Sequence, residues 1–229
     1  MKKYEILCYG DSNTWGTEAR KNTADKEFRY DRSTRWPCVL QKGLGAEYAV
    51  TEEGLGYRTT VFTQFPDFPY RNGQAMLEGC LRSHYPLDLV IIMLGTNDLR
   101  TVPLPSEEEL ERGMEALAFQ VRGNTEIGPD GIKAPELLII APPFITPSQP
   151  DGRTEVWDIF HGSEGEAMSR RFPEIYRSAA EKYNGFFLNA QEFTVPDPRD
   201  GVHLDASSHI RLGKAVAEKV REIRRCTDG

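Results

Sequence analysis

Gly10-Asp11-Ser12-Asn13 follows an apolar run near the start of the chain. Gly95-Thr96-Asn97-Asp98 ends a second such run, and Asp200-Gly201-Val202-His203 lies far downstream. Together they hold the residue types of acyl-transfer chemistry. Ser12, on a strand-to-helix turn, is a candidate nucleophile, but a serine hydroxyl is weakly nucleophilic until a base takes its proton. His203 is the candidate base. Asp200, three residues earlier with Gly201 between, can bring its carboxylate to the ring Nδ1 and leave Nε2 facing the serine. The Asn97 amide can donate to an oxyanion developing on the attacked carbonyl.

Each segment also has a plainer reading. Gly-Asp-Ser after a strand is often a turn with a helix N-cap, and Asn and Asp favour strand-end turns. The Gly10–Gly16 turn could cradle a phosphate, although it matches neither a dinucleotide fingerprint nor a Walker sequence. Nor is it the Gly-x-Ser-x-Gly elbow of the α/β-hydrolases. The other histidines carry no such pattern: His84 ends a helix, His161 lies in a loop and His209 sits on the last helix.

Elements must bring these segments together. Tyr4–Tyr9, Glu47–Glu52, Leu87–Leu94, Leu137–Ala141 and Gly185–Leu188 read as strands. The third and fourth are continuous apolar runs suited to central strands covered on both faces. Helical stretches fall at Gly73–His84, Glu107–Val121, Glu164–Tyr183 and Ala206–Arg224. Ser106 and Glu109 stand at capping-box spacing before the second of these. This alternation predicts one α/β/α domain over residues 1–229, with a five-stranded parallel sheet of order 2-1-3-4-5. In such sheets the loops after the strands share one rim. Ser12, Gly54–Arg58, Asn97 and Pro142-Pro143-Phe144 are therefore expected to meet. The long segments 17–35 and 145–162 read as lids or interfaces.

The chain has 229 residues, 39% of them hydrophobic, and a net charge of −7, which argues for a globular protein without nucleic acid as its main partner. No run approaches the roughly 20 apolar residues that span a bilayer. The run after Lys2-Lys3 is short and ends in the candidate nucleophile, so no signal peptide is read and a cytoplasmic location is expected. Cys8, Cys38, Cys80 and Cys226 lack metal-ligand spacing and are expected to be reduced.

Gly10-Asp11-Ser12, Gly54-Leu55-Gly56-Tyr57-Arg58-Thr59, Gly95-Thr96-Asn97-Asp98 and Asp200-Gly201-Val202-His203 resemble the four motif blocks of the SGNH (GDSL) hydrolases over essentially the whole chain. The strings Glu52–Leu55 and Leu87–Asp98 are similar to the arylesterase/acyltransferase branch. Two positions depart from the pattern. Asn13 replaces the leucine of the family nickname, at a position expected to be permissive. Tyr57 stands where many members have Gly or Ala. The resemblance implies a triad of Ser12, His203 and Asp200. It also implies an oxyanion hole from the Ser12 N–H, a backbone N–H at Gly56 or Tyr57, and the Asn97 amide.

The expected activity is hydrolysis of short-chain carboxylic esters, aryl esters included, through an acyl-enzyme. It needs no metal or cofactor, and the acyl group can pass to alcohols or peroxide if the pocket is dry. Trp15 is a candidate wall of the acyl pocket, with core packing as its alternative, and Phe144 and Trp157 are candidates for the alcohol side. The branch implies a homo-oligomer, up to an octamer. A sugar deacetylase, a thioesterase and a non-catalytic phosphate-binding module stay open as alternatives.

Overall fold

The computed structural model describes residues 2–20, 26–64, 66–148 and 155–227. Residues 21–25 and 149–154 of the two long segments read above lie outside the described residues. Five parallel strands form one sheet: β1 (Tyr4–Gly10), β2 (Tyr48–Gly54), β3 (Leu89–Met93), β4 (Glu136–Ala141) and β5 (Phe186–Asn189). Their order is β2-β1-β3-β4-β5, as the alternation of elements predicts.

The side-chain period of a strand explains the layers. Leu7 and Tyr9 of β1, Val90 and Ile92 of β3, and Leu137 and Ile139 of β4 enter one core. They pack there with α3 (Gly73–His84), α4 (Glu107–Arg122) and α6 (Gly162–Lys182). The alternate residues Ile6, Cys8, Leu89, Ile91, Leu138 and Ile140 enter the other core, against α2 (Trp36–Leu44) and α7 (Ala206–Thr227). Each fully buried aliphatic side chain contributes about 1.5–3 kcal/mol. A one-residue slip of β3 would exchange its two faces, but both are apolar. The partners' register, Ile6 against Leu89 and Leu89 against Glu136, therefore has to come from neighbouring strands and loops.

Several boundaries differ from the sequence reading. The strand read as Leu87–Leu94 contracts to Leu89–Met93, because Leu87 and Leu94 are core residues flanking it rather than members of the ladder. Helix α2 is an addition. Pro37 looks like a breaker, but at the start of a helix its missing N–H costs nothing. Helix α2 also protects the β2 edge of the sheet. Gln41 accepts from the Val50 N–H (2.8 Å) and donates to the Tyr48 carbonyl (3.2 Å), occupying backbone groups that would otherwise invite another strand. The capping box of α4 forms as its spacing predicts: the Ser106 N–H donates to Glu109 Oε2 (2.8 Å) and the Glu109 N–H to Ser106 Oγ (3.3 Å). No described helix is long and apolar enough to cross a membrane.

Candidate active site

At the end of β1, Asp11 accepts from the Asn13 N–H at 2.9 Å and caps a single helical turn, α1 (Ser12–Trp15). Gly16, left-handed at φ 92°, stops that turn. Ser12 is thus held at the first position of a helix too short to bury it. The late loop is as tightly built. Gly201 has φ 71°, and a Cβ there would meet the Thr146 carbonyl oxygen at 1.8 Å, so only glycine allows the bend between Asp200 and His203.

The two loops meet. His203 Nε2 lies 3.0 Å from Ser12 Oγ, and His203 Nδ1 lies 2.7 Å from Asp200 Oδ2. Asp200 is 4% exposed, and every side of its carboxylate is engaged. Oδ1 accepts from the N–H groups of Val202 (3.0 Å) and His203 (2.9 Å), and Oδ2 also accepts from the Arg20 N–H (3.2 Å). Burial pushes the Asp200 pKa up, but His203 and these backbone donors outweigh it and hold the carboxyl below its ordinary value. For His203, burial pulls the other way. The Asp200 charge and hydrogen bond prevail, and its pKa stands above the ordinary imidazole value.

Asn13 does more than its expected permissiveness suggests. Its amide donates to the Val202 carbonyl (3.3 Å) and accepts from the Leu204 N–H (3.0 Å), so it clamps both chain neighbours of His203. The side chain is 1% exposed. An apolar residue there would leave both backbone groups buried and unpaired.

Asn97 belongs to a 3₁₀ turn, Thr96–Arg100, that follows β3. One hydrogen of its side-chain NH2 goes to the Arg58 carbonyl (3.2 Å), which fixes the amide plane. Next to it, Asp98 accepts from Thr60 N–H (2.8 Å) and Thr60 Oγ1 (2.7 Å), tying this turn to the segment after β2. Burial raises the Asp98 pKa to about 7 against the two Thr60 bonds, with the Asp11 charge adding to the rise. The Arg58 guanidinium donates to the carbonyls of Gly10 (2.9 Å) and Glu53 and lies over the Tyr9 ring at 4.0 Å. It is a tie between strand ends. Leu55–Arg58 closes as a turn, with Arg58 N–H donating to the Leu55 carbonyl at 3.2 Å. Gly56 and Tyr57 are its central residues.

Ser12, Gly56, Tyr57, Asn97 and His203 all line one cavity of about 80 Å³. A family model, the GDSL-like lipase/acylhydrolase family, matches residues 8–212. The chain belongs to this family. Among solved structures, the native aryl esterase of M. smegmatis is similar, with TM-score 0.87, 35% identity, and coverage of 97% of this chain and 99% of that one. So is Est24, a carbohydrate acetylesterase from Sinorhizobium meliloti, with TM-score 0.87, 36% identity, and coverage of 96% and 100%. A putative arylesterase from Agrobacterium tumefaciens gives TM-score 0.80 and 38% identity, covering 97% and 100%. No curated protein matches. As a member of this family of GDSL-like hydrolases the chain is a carboxylic ester hydrolase, which removes the phosphate-binding module from consideration.

This GDSL-like site also has walls that sequence reasoning did not find. Arg20, Glu27, Arg100, Val156, Phe160 and Val202 are among them. Arg100 follows Asn97 at the spacing that returns a 3₁₀ turn to the same side, a signal available in the sequence. Val156 and Phe160 come from α5 (Glu155–Ile159) and the residue after it, in a proline-rich segment with no periodic signal.

The three aromatic pocket candidates lie elsewhere. Trp157 is one residue off the face of α5 that Val156, Ile159 and Phe160 present to the cavity, and it packs beside Gly162. Phe144 lies under the Arg170 guanidinium of α6 at 4.1 Å. Trp15, with Arg29 stacked at 4.9 Å, borders a neighbouring groove instead of the cavity. The histidines read as structural have local partners or burial: His84 bonds Glu53 (2.9 Å), His161 the Thr101 carbonyl (2.9 Å), and His209 is buried.

Proposed function

We propose that the protein is a serine esterase for short-chain carboxylic esters and works through an acyl-enzyme on Ser12. The observation that carries this reading is the unbroken line Ser12 Oγ–His203 Nε2–His203 Nδ1–Asp200 Oδ2, at 3.0 and 2.7 Å, opening on a cavity that Asn97 also lines. His203 takes the Ser12 proton as Oγ bonds to the carbonyl carbon. The oxyanion is met by the Ser12 N–H, a backbone N–H at Gly56 or Tyr57, and the second hydrogen of the Asn97 amide. His203⁺ then protonates the departing alcohol. Water enters, gives its proton to His203, and attacks the acyl-enzyme; collapse returns the proton to Ser12 and frees the acid. Asp200 fixes the imidazole orientation and stabilises its cation without leaving its own charged state.

The apolar part of the wall, Val156, Phe160 and Val202, favours a poorly hydrated acyl-enzyme, so an alcohol or peroxide can compete with water for it. Aryl esters and acetylated carbohydrates are the substrate classes suggested by the names of the similar structures. The test is hydrolysis of p-nitrophenyl acetate, butyrate and octanoate by wild type and Ser12→Ala. Activity that falls with chain length and vanishes in the variant is expected. Equal slow activity in both proteins would sink the reading.

A further inference from the structure

Tyr57 lines two spaces at once. On one side is the cavity of about 80 Å³ with Ser12, Asn97 and His203. On the other is an open groove of about 260 Å³ bordered by Trp15, Leu55, Tyr70 and Arg71. Glu27 and Gly56 also border both. Gly56 has no side chain, however, and Glu27 is tied back to Thr17 at 3.2 Å. The bulk between the two spaces is the Tyr57 ring.

That ring is gripped from both spaces. The Arg100 guanidinium, part of the cavity wall, lies 4.9 Å from its centroid, and the Arg71 guanidinium, part of the groove wall, lies 4.5 Å from it. The backbone beneath it is unfavourable for any side chain. Tyr57 has φ 66° at the third position of its turn, where glycine or asparagine is preferred. A bulky residue in a left-handed position that glycine would fill without strain points to a use for the ring itself.

We infer that the Tyr57 ring is the partition that sets acyl length: it closes the cavity on an acetyl-to-butyryl group and keeps the acyl chain out of the groove beyond. This inference rests on the acyl-enzyme reading above. At about 80 Å³ against about 260 Å³ the cavity is the smaller of the two spaces, and a short acyl chain suits it better than an octanoyl one.

The experiment compares kcat/KM for p-nitrophenyl octanoate and acetate in wild type, Tyr57→Gly and Tyr57→Phe. Glycine keeps the backbone N–H and the left-handed turn while removing the ring, so the octanoate-to-acetate ratio is expected to rise about tenfold or more. Phenylalanine keeps the ring, and its ratio is expected to stay near that of wild type. An unchanged ratio in folded Tyr57→Gly would overturn the inference. So would a ratio that falls, because opening the partition can only admit the longer chain. Tyr57→Asn, also suited to positive φ, replaces the glycine variant if that one does not fold. Ser12→Ala run alongside separates the two readings: activity that survives it refutes the esterase mechanism, whereas activity abolished by it with no change of ratio at Tyr57 refutes the partition alone.

Discussion

Two loops near Ser12 each bury an aspartate, and the two carboxyl pKa values move in opposite directions. Asp200 accepts from three backbone N–H groups and a histidine and is held below its ordinary pKa. Asp98, fully buried, accepts among the described residues only from the Thr60 backbone and hydroxyl and is raised to about 7. Depth does not distinguish them, since both are at most 4% exposed. The number of donors and the sign of the neighbouring charge do: a histidine that can become cationic faces Asp200, while Asp11 adds negative charge near Asp98. One loop favours the charged carboxylate and the other disfavours it.

The strongest way to break this contrast is Asp200→Asn. The amide cannot stabilise imidazolium and disturbs the tautomer, so kcat is expected to fall by about 10⁴-fold, as in other serine–histidine–aspartate sites. The pH profile sharpens the point. As the proposed base His203 must be neutral to act, so its raised pKa is expected to place the acid limb of kcat/KM above the ordinary imidazole value in wild type. With the Asp200 carboxylate gone, residual activity should show that limb at lower pH. A limb that stays in place would mean another group controls it.

Next in size is Asn13→Leu, which restores the leucine of the family nickname. It strips partners from the Val202 carbonyl and the Leu204 N–H, at about 1–3 kcal/mol for each group left unpaired. The expected result is a loss of about 2 kcal/mol or more in denaturant unfolding. Turnover should fall about tenfold with little change in KM, because His203 loses its clamp while substrate contacts remain. Full stability and turnover in the variant would return Asn13 to the permissive role the sequence suggests.

The smallest effect tests Asp98. Its folded pKa lies above the unfolded one, so its stabilising contribution is complete at acid pH and is lost as pH rises from about 4 to about 7. Asp200 has the opposite sign: its contribution is present above the ordinary carboxyl pKa and lost below it. Asp11, raised to about 6 by burial despite the Asn13 N–H bond, has the same sign as Asp98, whereas buried His209, lowered to about 3, has the opposite one. Wild-type Tm alone therefore does not isolate Asp98. The Tm of Asp98→Asn relative to wild type is expected to rise between pH 5 and 8. A difference that stays constant over this range would show that Asp98 has the same charge in the fold throughout.

Much of this site is legible in the sequence because its parts are local. Ser12, Asn97 and Asp200–His203 each sit in a short motif with a turn of its own, and the strand–helix alternation fixes which rim they share. What is hidden depends on distant packing. Asn13 gives no sign that its amide will reach Val202 and Leu204. Trp15, Phe144 and Trp157 have the right chemistry for a pocket, but side-chain direction decides their fate. One residue along α5 separates Trp157 from Val156 on the cavity wall. Helix α2 is hidden for a different reason: a helix start and a helix break can use the same residue, here Pro37.

The Asn13 clamp also bears on tolerance in the engineering sense. Ser12 and His203 are separated by 191 positions, and if their spacing depended on every strand and loop between them, small displacements would accumulate. Instead, the residue adjoining Ser12 grips the residues on both sides of His203, so the spacing is gauged by one short side chain. Lengthening or trimming the outlying loops can reshape the mouth of the site while that gauge stays in place.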